Sequence, residues 1–160
     1  MKQISSDVVE KIWHRINEAS VSTAPQMIQR FGKMHPVILA YLMAAGDGIL
    51  NQKEREELLF IGMVIWQIML EGDRPLSEIT ETVLEEKEEA NFKLLEHLEY
   101  ESGQDLERIV EKVFSDYNQF YILGYVMENL TKFSEEISVG GESVGRMFIY
   151  LKTTIDCFDV

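Results

Sequence analysis

The chain has 160 residues, a formal net charge of −13 and one cysteine, Cys157. This length is sufficient for one domain whose core needs no disulfide or metal, and a single cysteine excludes an internal disulfide framework. The first residues contain no uninterrupted apolar run of the kind that secretory signals carry, so we expect a cytoplasmic protein.

Negative charge is concentrated between residues 71 and 107, where the only basic residues are Arg74, Lys87 and Lys93. Phosphate backbones and anionic lipids repel such a segment, so we expect neither a nucleic acid nor a membrane as partner. A solvated acidic face is the simplest interpretation, and docking of a basic partner is the alternative. The acidic residues are Glu71, Asp73, Glu78, Glu81, Glu85, Glu86, Glu88, Glu89, Glu96, Glu99, Glu101, Asp105 and Glu107.

Ser6 or Asp7 is predicted to cap the first helix, and Glu10 completes a capping-box spacing after Asp7. Apolar residues then recur at helical period while the charged residues fall elsewhere, so one face is expected to be buried. That face carries Val9, Ile12, Trp13, Ile16 and Ala19.

Thr23-Ala-Pro-Gln26 also has capping-box spacing and is predicted to start a short second helix, with Pro25 in its first turn. Gly32 is the expected stop. His35 precedes Pro36 and is therefore expected to lie outside both neighbouring helices.

Residues 36–70 contain two long apolar runs separated by Gly46-Asp47-Gly48. The runs do not alternate as half-buried strands do and are too long for buried strands, so they predict two helices that are apolar on most sides. The glycines are expected to supply positive φ, and Asn51 with Glu54 to cap the second helix. We predict that both helices of this hairpin lie inside the fold. The second run, residues 58–70, falls short of the roughly 20 residues that cross a bilayer.

Gly72 is predicted to end the hairpin, and Ser77 to cap the next helix. That helix has a sparse apolar face and an acidic centre at residues 85–89, so it is expected to project from the body or to bend. Ser102-Gly103 is expected to break it, with Asp105 capping the helical segment after the break.

Residues 105–133 keep a helical pattern that fits one long helix or two helices broken near Ser115-Asp116. Residues 134–141 are the most loop-like stretch of the chain. A last helix is predicted from Glu142, with Val144, Met147, Phe148, Leu151, Ile155 and Phe158 on its buried face. The whole chain, residues 1–160, is thus predicted to be a single all-α domain, a bundle of about seven helices around the apolar hairpin.

Gly62, Gly124 and Gly145 lie inside predicted helices, where each costs about 1 kcal/mol relative to alanine. Such a cost indicates that another backbone approaches closely. We expect Gly62 and Gly124 to lie at helix crossings.

The turn from Gly46 to Glu54 has half the pattern of a calcium loop. The first and third ligand positions would be Met43 and Ala45, which have no side-chain oxygen, so no metal site is predicted. The sequence Ala44-Ala-Gly-Asp-Gly followed by Glu54 resembles the helix hairpin of TerB-like tellurite-resistance domains, which are all-helical. The resemblance covers about a tenth of the chain and lacks an acidic second turn.

Histidine and cysteine patterns predict no catalytic, cofactor or metal site. None of His14, His35 and His97 has the preceding glutamate of a di-iron Glu-x-x-His motif, and a solvated or capping role is expected for each. Cys157 has no local base and is expected to be a buried, inert thiol.

The leading functional hypothesis is a non-enzymatic interaction or regulatory protein that uses its acidic surface or an apolar groove. A protein partner or a homodimer would follow. The alternative is a small-molecule-binding protein or enzyme with a pocket between core helices, lined by methionine and aromatic residues. Gln67 and Glu128, which interrupt apolar faces, would be its anchors.

Overall fold

The computed structural model describes residues 1–19, 21–101, 111, 113–137 and 141–160. In these ranges the chain consists of helices joined by turns and short connections, without any strand, and the helices pack against one another. The predicted all-α class is therefore confirmed.

Seven α-helices have both ends within the described ranges. They are α1 (Ser6–Glu18), α2 (Ala24–Met34), α3 (Pro36–Ala44), α4 (Gln52–Met69), α5 (Glu81–Glu101), α6 (Phe120–Ile137) and α7 (Gly141–Phe158). A 3-10 turn, Val21–Thr23, leads into α2. No described helix combines the length and the apolar character that a membrane span requires.

The centre of the core is the contact between α4 and α7. Every residue of α4 from Ile61 to Met69 is buried, and so is nearly all of α7 from Met147 to Phe158. The helices α1, α2 and α3 cover α4, while α5 lies along α7 and α6 contacts α1, α4 and α7. The predicted burial of Val64, Ile65 and Ile68 is confirmed.

The prediction that α3 is also buried on most sides is wrong. Ile38 and Leu42 face the core, but Ala40 is exposed and Met43 keeps 54% of its surface in solvent. Helix α7 packs along α4 more extensively than the shorter α3 does, and α3 contacts α4 through one face only. Apolar composition alone could not rank these two candidates.

The turn between α3 and α4 forms as predicted. Gly46 and Gly48 both have φ of +74°, a region that side chains disfavour. Asn51 caps α4, because its side chain accepts from the Glu54 N–H at 2.9 Å and Glu54 Oε2 accepts from the Asn51 N–H at 2.8 Å. This reciprocal capping box fixes where α4 starts.

Two local predictions about α1 and α2 are wrong. The N-cap of α1 is Ser5, not Ser6 or Asp7, and its side chain makes no cap hydrogen bond. Helix α2 does not stop at Gly32 but continues to Met34. Gly32 serves a different purpose, since a Cβ there would lie 2.8 Å from Leu39 Cδ2 on α3. The glycine allows α2 and α3 to approach closely, and His35 lies between them outside both helices, as predicted.

The predicted N-cap of α5 is wrong by three residues. The helix begins at Glu81, and Thr80 Oγ1, rather than Ser77, accepts from the Val83 N–H at 3.3 Å. The preceding residues are non-helical and bury Ile79 in the core. Helix α5 packs along α7 instead of projecting, with its acidic centre largely exposed. The expected break at Ser102-Gly103 and cap at Asp105 lie outside the described residues.

Of the two alternatives for residues 105–133, the described residues confirm a break near Ser115-Asp116. Residues 113–115 are helical, residues 116–119 are not, and α6 starts at Phe120. The predicted loop at residues 134–141 is wrong for its first part, because α6 runs to Ile137 and α7 begins at Gly141. Residues 138–140 lie outside the described ranges.

Of the two glycines predicted at helix crossings, one has a close neighbour on another helix and the other has none. Gly62 confirms the prediction, since a Cβ there would lie 2.5 Å from Leu42 Cδ1 on α3. At Gly124 the prediction is wrong, because an added Cβ would meet no heavy atom within 4 Å beyond the local backbone. The space beside Gly124 belongs instead to a groove at the protein surface.

We expect Gly62→Ala and Gly124→Ala to change stability in opposite directions. The methyl group at position 62 collides with Leu42, which is 1% exposed and cannot move aside freely, so overpacking should cost about 1–3 kcal/mol. At position 124 the methyl group enters open space, and the better helix propensity of alanine should add up to about 1 kcal/mol. Urea unfolding followed by circular dichroism measures both. Equal effects of the two substitutions would contradict this assignment.

His35 is buried, which makes the predicted solvated role wrong for this histidine. It is 4% exposed, and its ring packs edge-on against that of Phe158 with 5.0 Å between the ring centroids. Neither ring nitrogen has a hydrogen-bond partner among the described residues. It occupies the cap position between α2 and α3, but its side chain makes no cap bond. His14 and His97 are exposed.

Burial lowers the pKa of His35 from its ordinary value of 6.5, since the charged ring would lose its hydration. The unfolding free energy therefore does not depend on His35 protonation well above pH 6.5. It decreases as the pH falls from 6.5 through the pKa of the folded state, because the unfolded chain binds the proton first. We expect His35→Phe to reduce the fall in unfolding free energy below pH 6.5. His14→Gln, a change at an exposed histidine, should leave it intact. Urea titrations at a series of pH values make the comparison, and unchanged pH dependence in His35→Phe would contradict it.

Candidate functional site

A groove of about 570 Å³ lies between α1 and α6. We call it the aromatic groove, because Trp13 of α1 and Phe120, Tyr121 and Tyr125 of α6 line it. The remaining lining residues are Ser6, Val9, Glu10, His14, Gly124, Glu128, Asn129 and Lys132. Its volume falls within the range of about 300–1,000 Å³ that is usual for small-molecule sites.

The groove arises from the spacing of residues on α6. Phe120, Gly124 and Glu128 follow one another at intervals of four and therefore lie along one side of the helix. The middle position has no side chain, which leaves a gap between the aromatic residue at one end and the carboxylate at the other. Trp13 closes the side toward α1, with its ring centroid 5.1 Å from that of Tyr125.

A buried glutamine holds the start of α6 against the segment before α1. Gln119 is fully buried, and its Oε1 accepts from the Ile4 N–H at 3.1 Å while its Nε2 donates to Asp159 Oδ1 at 2.7 Å. Gln119 directly precedes Phe120 in the groove wall. The separation of the two walls is therefore fixed by hydrogen bonds as well as by packing.

Tyr125 contributes a buried hydroxyl with no hydrogen-bond partner among the described residues. The residue is 7% exposed. Burial raises the pKa of this phenol above its usual value of 10.0, and the nearby carboxylates of Glu57 and Glu128 raise it further. The hydroxyl is thus neutral and has an unused donor and acceptor, and leaving such a group unpaired costs about 1–3 kcal/mol.

Charged side chains stand at the rim. Glu128 forms an ion pair with Lys132, one turn later on α6, with 2.8 Å between Glu128 Oε1 and Lys132 Nζ. Both side chains are well exposed. Glu10 is exposed and forms no ion pair within the described part of the chain, and His14 stands one turn after it on α1. Glu10 and His14 therefore both stand at the rim of the groove.

The two polar anchors predicted for a core pocket have different surroundings. Glu128 lines the aromatic groove. Gln67 does not line it, and its Oε1 accepts from Arg15 Nη2 at 3.2 Å, so Gln67 is a hydrogen-bonded amide of the core. Methionines are absent from the residues that line this groove.

Cys157 is fully buried, and burial together with the neighbouring Asp156 raises the pKa of its thiol to about 12. It therefore stays protonated near neutral pH, as expected for a packing residue. In the calcium-like turn, Asp47 faces Arg55 at 3.6 Å and Glu54 is used as the cap. Within the described residues, no three His, Cys, Asp or Glu side chains come together in a way that could hold a metal ion.

A second polar cluster lies between α5, α7 and the segment before α6. Asp156 Oδ2 accepts from Lys152 Nζ at 2.7 Å and from Asn91 Nδ2 at 2.8 Å, and Asp156 Oδ1 accepts from the Tyr117 hydroxyl at 2.5 Å. Lys152 also donates to Asn91 Oδ1 at 2.8 Å and lies over the Tyr117 ring. Because every member is paired within the cluster, we interpret it as a structural network that joins three segments.

The sequence analysis predicted neither the aromatic groove nor the polar cluster around Asp156. Lys152 and Asp156 are four residues apart in an otherwise apolar helix, which could have indicated a buried ion pair. Aromatic residues on both sides of Gly124 could have indicated a gap in a lined surface. The contribution of Trp13 to the same wall had no sequence signal, since α1 and α6 are far apart along the chain.

Comparisons with protein-family models, with characterised proteins and with solved structures found no match to this chain. The resemblance of the α3–α4 hairpin to TerB-like domains therefore has no support beyond its own few residues.

We expect Asp156→Asn to destabilise the protein by about 3 kcal/mol, because it leaves the buried Lys152 ammonium without its counter-charge. The double variant Lys152→Met/Asp156→Asn should cost less than the sum of the two single changes, since it removes both charges. Glu89→Gln breaks an exposed pair of the same i,i+4 spacing, with Lys93, and should have little effect. Additive single and double effects in urea unfolding would contradict the coupling.

Proposed function

We propose that this protein is a non-enzymatic binding protein that takes a small organic molecule with a ring-sized apolar body into the aromatic groove. The observation that carries the proposal is the open space beside Gly124, in a groove that Trp13, Phe120 and Tyr121 line. Apolar walls with a few convergent polar groups are the usual composition of small-molecule sites.

The exposure of the aromatic walls supports the same conclusion. Phe120 and Tyr121 keep 41% and 40% of their surfaces in solvent although they lie beside a packed core. Exposed aromatic surface within a concave site gains free energy when a ligand covers it, at about 25 cal/mol per Å² of apolar area. The alternative of a protein partner that docks on the acidic face of α5 stays a prediction, because no feature of that face specifies an occupant.

Binding of a neutral ring compound tests the proposal. We expect indole, titrated into the full chain, to shift the backbone amide resonances of residues 6–14 and 120–132 in ¹H–¹⁵N spectra. Gly124→Leu should abolish the shifts, because its side chain fills the space that the ring requires, while the fold is retained. Thr131→Leu adds the same side chain to an exposed position of α6 that does not line the groove, and should leave binding unchanged.

Two results would refute the proposal. One is the absence of any groove shift at the solubility limit of indole. The other is equal binding of indole to the wild type and to a folded Gly124→Leu variant.

A further inference from the structure

We propose that His35 makes the joint between α2 and α3 an acid-sensitive switch, in which one proton on its ring releases the α2–α3 pair from α4 and α7 while those two helices stay folded. The switch is separate from the aromatic groove, because α2 and α3 contribute no residue to the lining of that groove. Three features support the proposal: the environment of the ring, the backbone hydrogen bonds of His35 and the way in which the pair is attached to the core.

The environment of the His35 ring has no place for a charge. The ring is buried, it packs edge-on against the buried ring of Phe158, and both of its nitrogens lack a hydrogen-bond partner among the described residues. Protonation gives the imidazole a second N–H donor and a positive charge. A buried charge without a partner costs far more than a buried neutral group, so the protonated ring must reach water.

The charged groups on the neighbouring elements do not compensate this charge. Burial is the cause of the lowered pKa of His35, and no carboxylate among the described residues opposes it. On α7, Asp156 accepts hydrogen bonds from Lys152 and Asn91, and Asp159 accepts from Gln119. The other titratable or charged residues of the packed helices are Arg30 and Lys33 on α2, Tyr41 on α3, and residues 53–57 in the first two turns of α4.

The backbone of His35 couples its ring to two helices. Its N–H donates to the Phe31 carbonyl at 2.8 Å, at the end of α2, and its carbonyl accepts from the Leu39 N–H at 3.1 Å, in α3. Pro36, the first residue of α3, also restricts the backbone of His35. A movement that brings the ring to water therefore displaces the end of one helix and the start of the next.

The α2–α3 pair is attached to the rest of the protein more weakly than α4 is attached to α7. Helices α2 and α3 pack against each other and against α4, and two edge-on ring contacts, His35 with Phe158 and Tyr41 with Tyr150, join the pair to α7. The extensive contact between α4 and α7 does not include α2 or α3. Separate opening of such a unit is common in proteins, because local stability differs between parts of a structure.

Trp66 of α4 reports the release. Its ring stacks on that of Phe31 of α2 with 4.7 Å between the centroids, and both residues are fully buried. The full chain with Trp13→Phe has Trp66 as its one tryptophan. We expect its emission to shift to longer wavelength as the pH falls below 6.5. The apparent opening constant should rise about tenfold per pH unit between 6.5 and the pKa of the closed state, since opening is linked to one proton.

Variants assign this proton to His35. In the Trp13→Phe background, His35→Phe should remove the pH dependence of the opening constant, because its ring fills a similar space and does not titrate. His14→Gln, which removes an exposed histidine on α1, is the control and should leave the dependence unchanged. His35→Leu is the second variant if His35→Phe does not fold. A slope that either folded His35 variant retains would overturn the proposal.

Amide spectra of the wild type show which part of the protein responds, without any variant. The ¹H–¹⁵N resonances of residues 24–44 should change with the same midpoint as the His35 ring protons, while those of residues 61–69 and 147–158 keep their native shifts. Loss of all three sets at one pH would overturn the proposal, because the transition would then be global unfolding. Titration of the His35 ring without any change at residues 24–44 would also overturn it, because the ring would then reach water without moving the helices.

Discussion

The structure depends on the burial of α4 against α7. Both helices are enclosed over most of their length, so neither could remain folded alone in water. Their contact must be close along a whole face, and the other helices then cover the surfaces that remain. The position of α3 follows from this constraint: with α7 beside α4, only one face of α3 can reach the core, and its approach at Leu42 is possible because α4 has glycine at position 62.

Helix α7 brings polar groups into this core, and the fold pairs them. Lys152 and Asp156 are satisfied by Asn91 of α5 and by Tyr117. At the end of α7, Asp159 accepts from Gln119, which also binds the backbone before α1. An unpaired buried charge costs several kcal/mol, so these bonds specify how α5, α6 and the first residues must sit around α7. The same bonds place the two walls of the aromatic groove.

The contrast between the two polar regions distinguishes structure from candidate function. The Lys152 cluster is closed, since each donor finds an acceptor inside it. The aromatic groove is open, because Gly124 leaves space between the side chains that line it.

The sequence alone determined the helical class, the buried faces of α1 and α4, the Gly46-Asp47-Gly48 turn and the Asn51–Glu54 cap. Each depends on periodicity or on residues within a few positions of one another, and such local preferences survive in the folded chain. The sequence could not show that α7 makes a longer contact with α4 than α3 does, that Gly124 faces a groove, or that His35 is buried. Those outcomes depend on which distant helices meet, and only the tertiary structure decides it, because several helices of similar apolar content compete for the same central position.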